Sequence, residues 1–169
     1  KHNLKEKVII TKVIFKLSKT PLNKTNYGAI KDELKNLKKE ASPKNIAEAV
    51  INIRSRKLPN PAELGNSGSF FKNPIIETSQ FEELKKEFSE IVGYSISEKK
   101  TKIAAGWLID NSGLKGYRKG DAGIHKNQAL VLVNYGKATG LEIINLAKKI
   151  QKVVKEKYNI EIEPEVNIL

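Results

Sequence analysis

Cysteine and methionine are both absent from this chain of 169 residues, and tryptophan occurs once. Without cysteine, disulfide bridges and thiolate metal sites are excluded. No apolar run reaches the roughly 18 residues of a membrane-spanning helix, so none is predicted. The first five residues lack the apolar stretch of a signal peptide. These absences favour a cytoplasmic protein, and the lack of an initiator methionine indicates a fragment of a longer chain.

Positive charge is in excess, because 31 Lys and Arg face 19 Asp and Glu and give a net charge of +12. Such an excess is typical of nucleic-acid-binding domains. The lysines, however, mostly stand beside glutamates on predicted helical faces, as in residues 82–86, rather than in a basic stripe with aromatics. We therefore expect solvated faces and no nucleic-acid partner, with part of the charge serving an anionic small ligand.

The hydrophobic pattern predicts an α+β chain. Residues 8–17 are β-branched and largely alternating, which predicts a strand. Ser42 followed by Pro43 predicts the start of a helix that ends near Lys57. The remaining pattern predicts helices over about 29–39, 78–92, 104–109 and 139–158, strands over 129–134 and 160–166, and a polar loop over 95–102.

A glycine-rich stretch at residues 65–74 reads Gly-Asn-Ser-Gly-Ser-Phe-Phe-Lys-Asn-Pro. Glycine permits positive φ, so its two glycines predict a tight turn that presents Ser69, rather than a regular element. Lys72 and Asn73 place a cation and an amide near that hydroxyl. The alternative is an ordinary glycine turn that enters a strand, which local composition alone favours.

Two interpretations are possible for Arg54 and Lys57, two basic residues at the end of the helix predicted to end near Lys57. Its apolar stripe, at residues 47, 50 and 51, continues with helical spacing at Arg54. A guanidinium on that face needs an anionic partner. Alternatively, Arg54 and Lys57 are solvent-exposed bases at a helix C-terminus, where the helix dipole favours them. Spacing alone slightly favours the second interpretation.

Three further polar residues are ambiguous when they are taken singly. Tyr27, at a loop-to-helix junction, either points its hydroxyl at a ligand or packs against the core. A single histidine before a strand, such as His125, is more often structural than catalytic, and the two histidines of the chain are not spaced as metal ligands. Glu165 follows a proline, where a carboxylate is normally solvated, so the pattern alone does not select it.

Four separated stretches, taken in order, resemble the UDP-N-acetylenolpyruvoylglucosamine reductase (MurB) family. The first is the glycine-rich stretch, and the last is Glu-Pro-Glu-Val at residues 163–166. Between them stand Ala-Ala-Gly-Trp-Leu-Ile-Asp at residues 104–110 and His-Lys-Asn-Gln-Ala-Leu-Val at residues 125–131. Tyr27 and Tyr94 favour the type I branch, which has an additional tyrosine-bearing loop over the substrate. The resemblance spans nearly the whole chain.

This resemblance implies an oxidoreductase that converts UDP-N-acetylglucosamine enolpyruvate to UDP-N-acetylmuramate in cytoplasmic peptidoglycan synthesis, and hence a role in cell wall biogenesis, cell shape and cell division. In the family, NADPH gives a hydride to FAD, reduced flavin passes it to C3 of the enolpyruvyl group, and a serine hydroxyl protonates C2. We therefore expect FAD and NADPH as cofactors, no metal, no membrane partner and a monomer.

The resemblance also implies roles for single residues. Ser69 stands at the position of the proton-donating serine, and Glu165 at that of the glutamate near the enolpyruvyl carboxylate, so both are expected to be catalytic. Arg54 is expected on the flavin side of the cleft. Six residues match substrate-binding positions: Tyr27, Lys57, Asn73 and Tyr94 around the diphosphate, and Lys115 and Gln128 around the nucleotide.

The implied fold is an α+β substrate-binding domain of the MurB type with a remnant of the FAD-binding (PCMH-like) lobe. Residues 1–59 are expected to be that remnant, 60–157 the substrate-binding domain, and 158–169 a terminal strand that returns to the flavin lobe. The family's flavin-binding lobes and its tyrosine-arginine-x-serine motif precede these stretches, so we expect the chain by itself not to retain FAD and to be inactive.

Asn167 stands where an arginine is common in the family. A non-catalytic UDP-sugar-binding module that uses the same pocket is the alternative.

Overall fold

The computed structural model describes residues 8–26 and 29–168. Within these ranges the chain forms five α-helices and seven β-strands. It divides into two compact units, Lys1–Ile53 and Arg54–Leu169, and the division falls inside the second helix. Helices occur together with two antiparallel sheets, so the predicted α+β class is confirmed. Among the helices of the described residues, none has the length and apolar character needed to span a bilayer.

The first unit is built on helix α1 (Ile30–Asn36) and on helix α2 (Pro43–Lys57) as far as Ile53. The predicted bounds of α2 are confirmed, and the Ser42 hydroxyl accepts the Asn45 N–H at 3.2 Å as the N-cap. A small apolar cluster joins the two helices, with Ile30, Leu34 and Ala49 buried and Leu37, Ile46, Val50 and Ile53 packed against them.

The predicted phase of the apolar stripe on α2 is wrong. Ala49 is the fully buried residue of this helix, whereas Ala47 and Ile51 are exposed. Arg54 therefore does not continue a buried face, and its side chain is exposed. Apolar residues occur on several faces of α2, so spacing alone does not fix which face is buried. Packing against α1 decides it, and the interpretation of Arg54 as a solvent-exposed base stands.

The prediction of a strand over residues 8–17 is also wrong. This segment has no regular secondary structure, and its apolar side chains are exposed, with Ile9 at 90% and Ile14 at 85%. A β-strand exists only where a neighbouring backbone completes its hydrogen bonds. Within the described ranges no strand pairs with this segment. Alternation indicates which face a strand could bury but does not supply the partner.

The second unit contains a four-stranded antiparallel sheet packed against a long helix. Its strands, in spatial order, are β1 (Gly65–Ser69), β7 (Val131–Asn134), β6 (Ala122–Ile124) and β5 (Arg118–Lys119). Helix α5 (Gly140–Tyr158) is confirmed as predicted, and Thr139 with Glu142 forms a capping box at its start. Its buried face includes Ala147, Ile150 and Val154, which join the main core under the sheet.

A second, three-stranded sheet has the order β2 (Ile75–Glu77), β4 (Lys100–Ile103) and β3 (Gly93–Ser95). The prediction of a loop over residues 95–102 is therefore wrong at its ends, because Ser95 belongs to β3 and residues 100–102 to β4, whereas residues 96–99 do form the loop. Thr101 and Ile103 are buried and alternate with the exposed Lys100 and the half-buried Lys102, but the polar composition of the stretch concealed this alternation. Helix α3 (Thr78–Glu87) also ends earlier than predicted, whereas α4 (Ala105–Asn111) is confirmed and is followed by Gly113 at φ 71°.

The last described residues return to the glycine-rich stretch. The Lys72 N–H donates to the Glu163 carbonyl at 2.9 Å, and the Glu165 N–H donates to the Phe70 carbonyl at 2.7 Å. Between these bonds Phe71 and Pro164 form an isolated antiparallel bridge. The predicted strand over 160–166 is thus reduced to this bridge, because a proline has no N–H for a ladder. We call these contacts the closing pairing.

Replacing Gly93 with alanine tests the packing of β3 on α3. An added Cβ would lie 2.6 Å from Cε2 of Phe81 and 3.0 Å from Cγ2 of Thr101. We expect Gly93→Ala to lower the free energy of unfolding by about 1–3 kcal/mol, the usual cost of overpacking. Urea titrations followed by the fluorescence of Trp107, the single tryptophan, measure it.

Gly140→Ala is the matched control, because a Cβ there meets nothing within 4 Å and alanine favours a helix. It should leave the free energy of unfolding unchanged or slightly higher. If Gly93→Ala unfolds at the wild-type urea concentration, β3 does not pack on Phe81 as described.

Candidate active site

Ser69 is the last residue of β1 and lies just after an irregularity in the strand. The register between β1 and β7 shifts between Asn66 and Ser69. Gly68 has φ 74° there, and its N–H donates to Oδ1 of Asn66 at 3.0 Å. The prediction of a tight turn outside any regular element is therefore wrong, and the strand alternative holds. Gly68 does adopt a positive φ, which favours glycine, but this conformation belongs to a β-bulge that redirects Ser69 and not to a separate turn.

The closing pairing brings Ser69 and Glu165 to neighbouring backbones. Phe70, which follows Ser69, donates its N–H to Leu130 on one side at 2.8 Å. Its carbonyl accepts the Glu165 N–H on the other side, at 2.7 Å. The side chains of Ser69 and Glu165 are both exposed. A hydroxyl and a carboxylate therefore stand near one edge of the second unit.

Asn73 and Gln128 both approach the first turn of α4. Oδ1 of Asn73 accepts the Ala105 N–H at 2.9 Å, which leaves the amide Nδ2 as the donor of that side chain. Oε1 of Gln128 lies 3.8 Å from the position of a Cβ at Gly106. Because Gly106 carries no side chain, the Gln128 amide can lie close to this helix. The structure thus brings two of the predicted substrate-binding residues together.

Tyr94 lies on the second sheet, and its side chain is 58% exposed. Its direct partner across the β3–β4 ladder is Lys102, so a phenol and an ammonium group share one face. Sequence reasoning missed Lys102, because it placed this residue in a loop. The signal that could have found it is the alternation with buried Thr101 and Ile103.

Two predicted basic residues differ in their surroundings. Lys57, the last residue of α2, is exposed. Lys115 lies in the loop after α4, and its Nζ contacts Oδ2 of Asp110 in a salt bridge. An anionic ligand of Lys115 must therefore share the ammonium group with Asp110. Tyr27 lies outside the described residues.

A cavity of about 740 Å³ adjoins β1 within the second unit. Its wall includes Gly68, which directly precedes Ser69, together with the guanidinium-bearing Arg54 at the end of α2. His125 and Asn127, from the turn that leads into β7, also line it. The cavity is thus lined by both polar and apolar residues and reaches Gly68 of the bulge that positions Ser69.

His125 is 8% exposed. Its Nδ1 accepts the Asn127 N–H at 3.4 Å, and its backbone N–H donates to Val131 at 2.9 Å. Burial lowers the pKa of the His125 ring below its ordinary value, with a smaller contribution from the charge of Lys126. A neutral ring that accepts at Nδ1 carries its proton on Nε2, so His125 holds the turn that carries Gln128. Among the described residues, no three His, Asp or Glu side chains are grouped to hold a metal ion.

The family model of the UDP-N-acetylenolpyruvoylglucosamine reductase C-terminal domain matches residues 60–169. The chain belongs to this family. The match includes the glycine-rich stretch, α4, the turn before β7 and the closing pairing. The resemblance inferred from the four sequence stretches is therefore confirmed.

Curated reductases of the same name are similar to the whole chain. The one from Flavobacterium johnsoniae is 55% identical over 172 residues, which cover 100% of this chain and 51% of the relative. The one from Chromobacterium violaceum is 47% identical over 100% of this chain and 50% of the relative. The chain spans about half the length of the relatives it matches. A crystal structure of the reductase (MurB) from Thermus caldophilus aligns with a TM-score of 0.44 at 28% identity, over 73% of this chain and 33% of that one.

The flavin that the MurB family implies needs apolar walls for its ring system and donors for its diphosphate. The cavity beside β1 offers donors from Arg54, but Glu63 places a carboxylate in the same wall. Its lining also includes apolar residues, among them Leu58, Pro59 and Val131. The residues that line this cavity therefore fit part of such a cofactor, with Arg54 as a donor.

The buried ring of His125 predicts a specific pH dependence of stability. Its lowered pKa means that the unfolded chain takes up a proton before the folded chain does, so stability is full above about pH 6.5, the unfolded value, and falls as the pH drops towards the folded pKa. His125→Asn places an amide oxygen at the position of Nδ1, so it keeps an acceptor for the Asn127 N–H but removes the titrating ring. We expect a flatter unfolding free energy between about pH 7 and 5.5. An unchanged slope in urea titrations would show that the ring is not buried as described.

Proposed function

We propose that this chain forms the substrate side of an FAD-dependent reductase that uses NADPH to convert UDP-N-acetylglucosamine enolpyruvate to UDP-N-acetylmuramate, in cytoplasmic peptidoglycan synthesis. One observation carries the proposal: in a chain of the MurB family, the Glu165 N–H donates to the carbonyl of Phe70, the residue after Ser69, at 2.7 Å. This bond joins the backbone of Glu165 to that of the residue after Ser69, which supports placing their hydroxyl and carboxylate at one site. When bound, the two cofactors supply the hydride.

Ser69 is the proton donor in this proposal. A serine hydroxyl is a very weak acid in water, so it can protonate only a strongly basic carbon in a site that excludes water. The enolate-like intermediate formed after hydride addition has that basicity. Ser69 is exposed in the described chain, so the bound substrate and the remaining protein must shield it. Glu165, on the adjoining backbone, acts on the enolpyruvyl group from the other side.

The amide and phenol donors hold the diphosphate. Nδ2 of Asn73 is available because its Oδ1 already accepts the Ala105 N–H. The phenol of Tyr94 is exposed beside Lys102, and the exposed Lys57 adds a point charge that suits a phosphate oxygen. Tyr27 completes this set, while Gln128 and the Asp110-paired Lys115 bind the nucleotide end. Arg54 is the proposed contact to the flavin.

Residues 1–59 form part of the flavin-binding lobe in this proposal, 60–157 the substrate-binding domain, and 158–169 the terminal segment that returns to the flavin lobe. The exposed segment at residues 8–17 supports the first assignment. Its apolar side chains, such as Ile9 at 90% exposure, are unfavourable in water, and their alternation suits pairing with a sheet. By itself the chain, a monomer, retains no FAD and is inactive.

A hybrid enzyme tests the proposal. In the Flavobacterium johnsoniae relative, this chain replaces the half that it matches, and the hybrid is assayed with NADPH and UDP-N-acetylglucosamine enolpyruvate. We expect turnover by the hybrid. Ser69→Ala should leave NADPH-dependent bleaching of the flavin intact but lower kcat by roughly 10³-fold or more, because only the protonation step loses its donor.

Ser67→Ala is the matched control, since it removes a neighbouring hydroxyl on the same strand, and it should retain kcat within about threefold. Full turnover by Ser69→Ala would exclude Ser69 as the proton donor. A hybrid that binds the UDP-sugar and reduces its flavin but never turns over would instead favour the non-catalytic UDP-sugar-binding module.

A further inference from the structure

A second cavity lies between the β5–β6 end of the four-stranded sheet and α5. Its volume is about 400 Å³, within the range of small-molecule sites. One wall of the cavity is formed by Lys119 of β5 and by Tyr117, which directly precedes this strand. Helix α5 forms the other wall with Asn145, Leu146 and Lys149. Lys149 lies four positions after Asn145 and three after Leu146, so the three side chains lie on the same side of the helix. None of the residues to which we assigned a role in the reductase lines this cavity.

The orientation of Lys119 follows from strand alternation. Its neighbour Arg118 is occupied on the opposite face, where its guanidinium donates to Asp121 at 2.9 Å and lies 4.1 Å from the centroid of the Tyr135 ring. Successive side chains on a strand point to opposite faces. Lys119 therefore faces α5 and enters the wall of the cavity.

Lys149 is positioned over the aromatic wall of the same cavity. Its Nζ lies 3.9 Å from the centroid of the Tyr117 ring. The neighbouring Lys149 ammonium, acting on the phenol oxygen, is the main reason that the pKa of the Tyr117 phenol is below its ordinary value. In the described part of the chain, neither Lys119 nor Lys149 forms an ion pair with a carboxylate.

One carboxylate does line the cavity, but it is engaged elsewhere. Oε2 of Glu142 accepts the Thr139 N–H at 2.7 Å and the Thr139 hydroxyl at 2.8 Å in the capping box. These hydrogen bonds lower the pKa of Glu142 and fix its position at the start of α5. Two ammonium groups thus face one capped carboxylate, and the cavity keeps an excess of positive charge.

We propose that this cavity binds a phosphate group through Lys119 and Lys149, with the Tyr117 hydroxyl and the Asn145 amide as further donors. Two point charges and two neutral donors match the charge and the several acceptor oxygens of a phosphate better than those of a carboxylate. Leu146 and Ala122 supply an apolar floor, which leaves room for a small organic body. The site is independent of the reductase chemistry, so its test needs no UDP-sugar.

The test is an NMR titration of the ¹⁵N-labelled chain with inorganic phosphate, glycerol phosphate and, at the same ionic strength, acetate. We expect saturable shifts of the amide signals of residues 117–122 and 142–149 with both phosphates, and none with acetate. Replacing both lysines, Lys119→Gln with Lys149→Gln, should weaken phosphate binding by roughly tenfold or more, since two charge-assisted bonds are lost. The phosphate that binds more tightly identifies free phosphate or an organic ester as the source.

Lys148→Gln is the matched control, because it removes one exposed charge from the adjacent position of α5 and should leave binding unchanged. The single variant Lys119→Gln leaves the Lys149–Tyr117 contact in place, so a loss of phosphate binding in it cannot come from disrupting that contact. Equal shifts with acetate, equal weakening by Lys148→Gln, or no saturable shifts at all would overturn the proposal.

Discussion

The arrangement of the second unit depends on the closing pairing between residues 70–72 and 163–165. The Lys72 and Glu163 side chains that meet there, at 3.1 Å, are 91 positions apart in the sequence. Joining such distant segments costs chain entropy, and exposed ion pairs of this kind contribute little. The compensation comes from burial, because Phe71, Ile160 and Ile162 are each at most 2% exposed beside the two backbone hydrogen bonds. Packing of these apolar side chains thus fixes where Glu165 stands relative to Ser69.

The candidate active site is assembled from short irregular features that this packing holds in place. A bulge at Gly68 redirects Ser69, the Asn73 side chain is held by the first N–H of α4, and His125 shapes the turn that carries Gln128. Each of these side chains lies next to a buried neighbour, Phe70, Ala105 or Val131. Polar groups at the surface are therefore positioned by apolar residues beneath them. The second cavity is organised in a similar way. The capping box of α5 fixes the Glu142 carboxylate, which lines the cavity together with Lys119 and Lys149.

Sequence reasoning succeeded where local chemistry decides the structure. Ser42 and Thr139 cap helices as their hydroxyls indicate, and α4 and α5 follow their apolar spacing. It failed where the outcome depends on a distant partner: residues 8–17 alternate like a strand without a neighbour to pair with, and the β3–β4 hairpin is hidden by its exposed lysines. The family resemblance selected Glu165, which the local pattern did not. Neither the local pattern nor the family resemblance identified Lys102, because this residue comes to lie opposite Tyr94 only when the β3–β4 hairpin forms.

Native-state hydrogen exchange of the 169-residue chain tests the closing pairing most directly. If the pairing holds, the amides of Lys72 and Glu165 are protected to nearly the level of the β7 amides, and they lose protection together when Phe71 is replaced with alanine. The contrary result is exchange of Glu165 and Lys72 as fast as that of the exposed residues 8–17 while β7 remains protected. Ser69 and Glu165 would then not be held side by side, and the proposed proton-transfer site would have no structural basis.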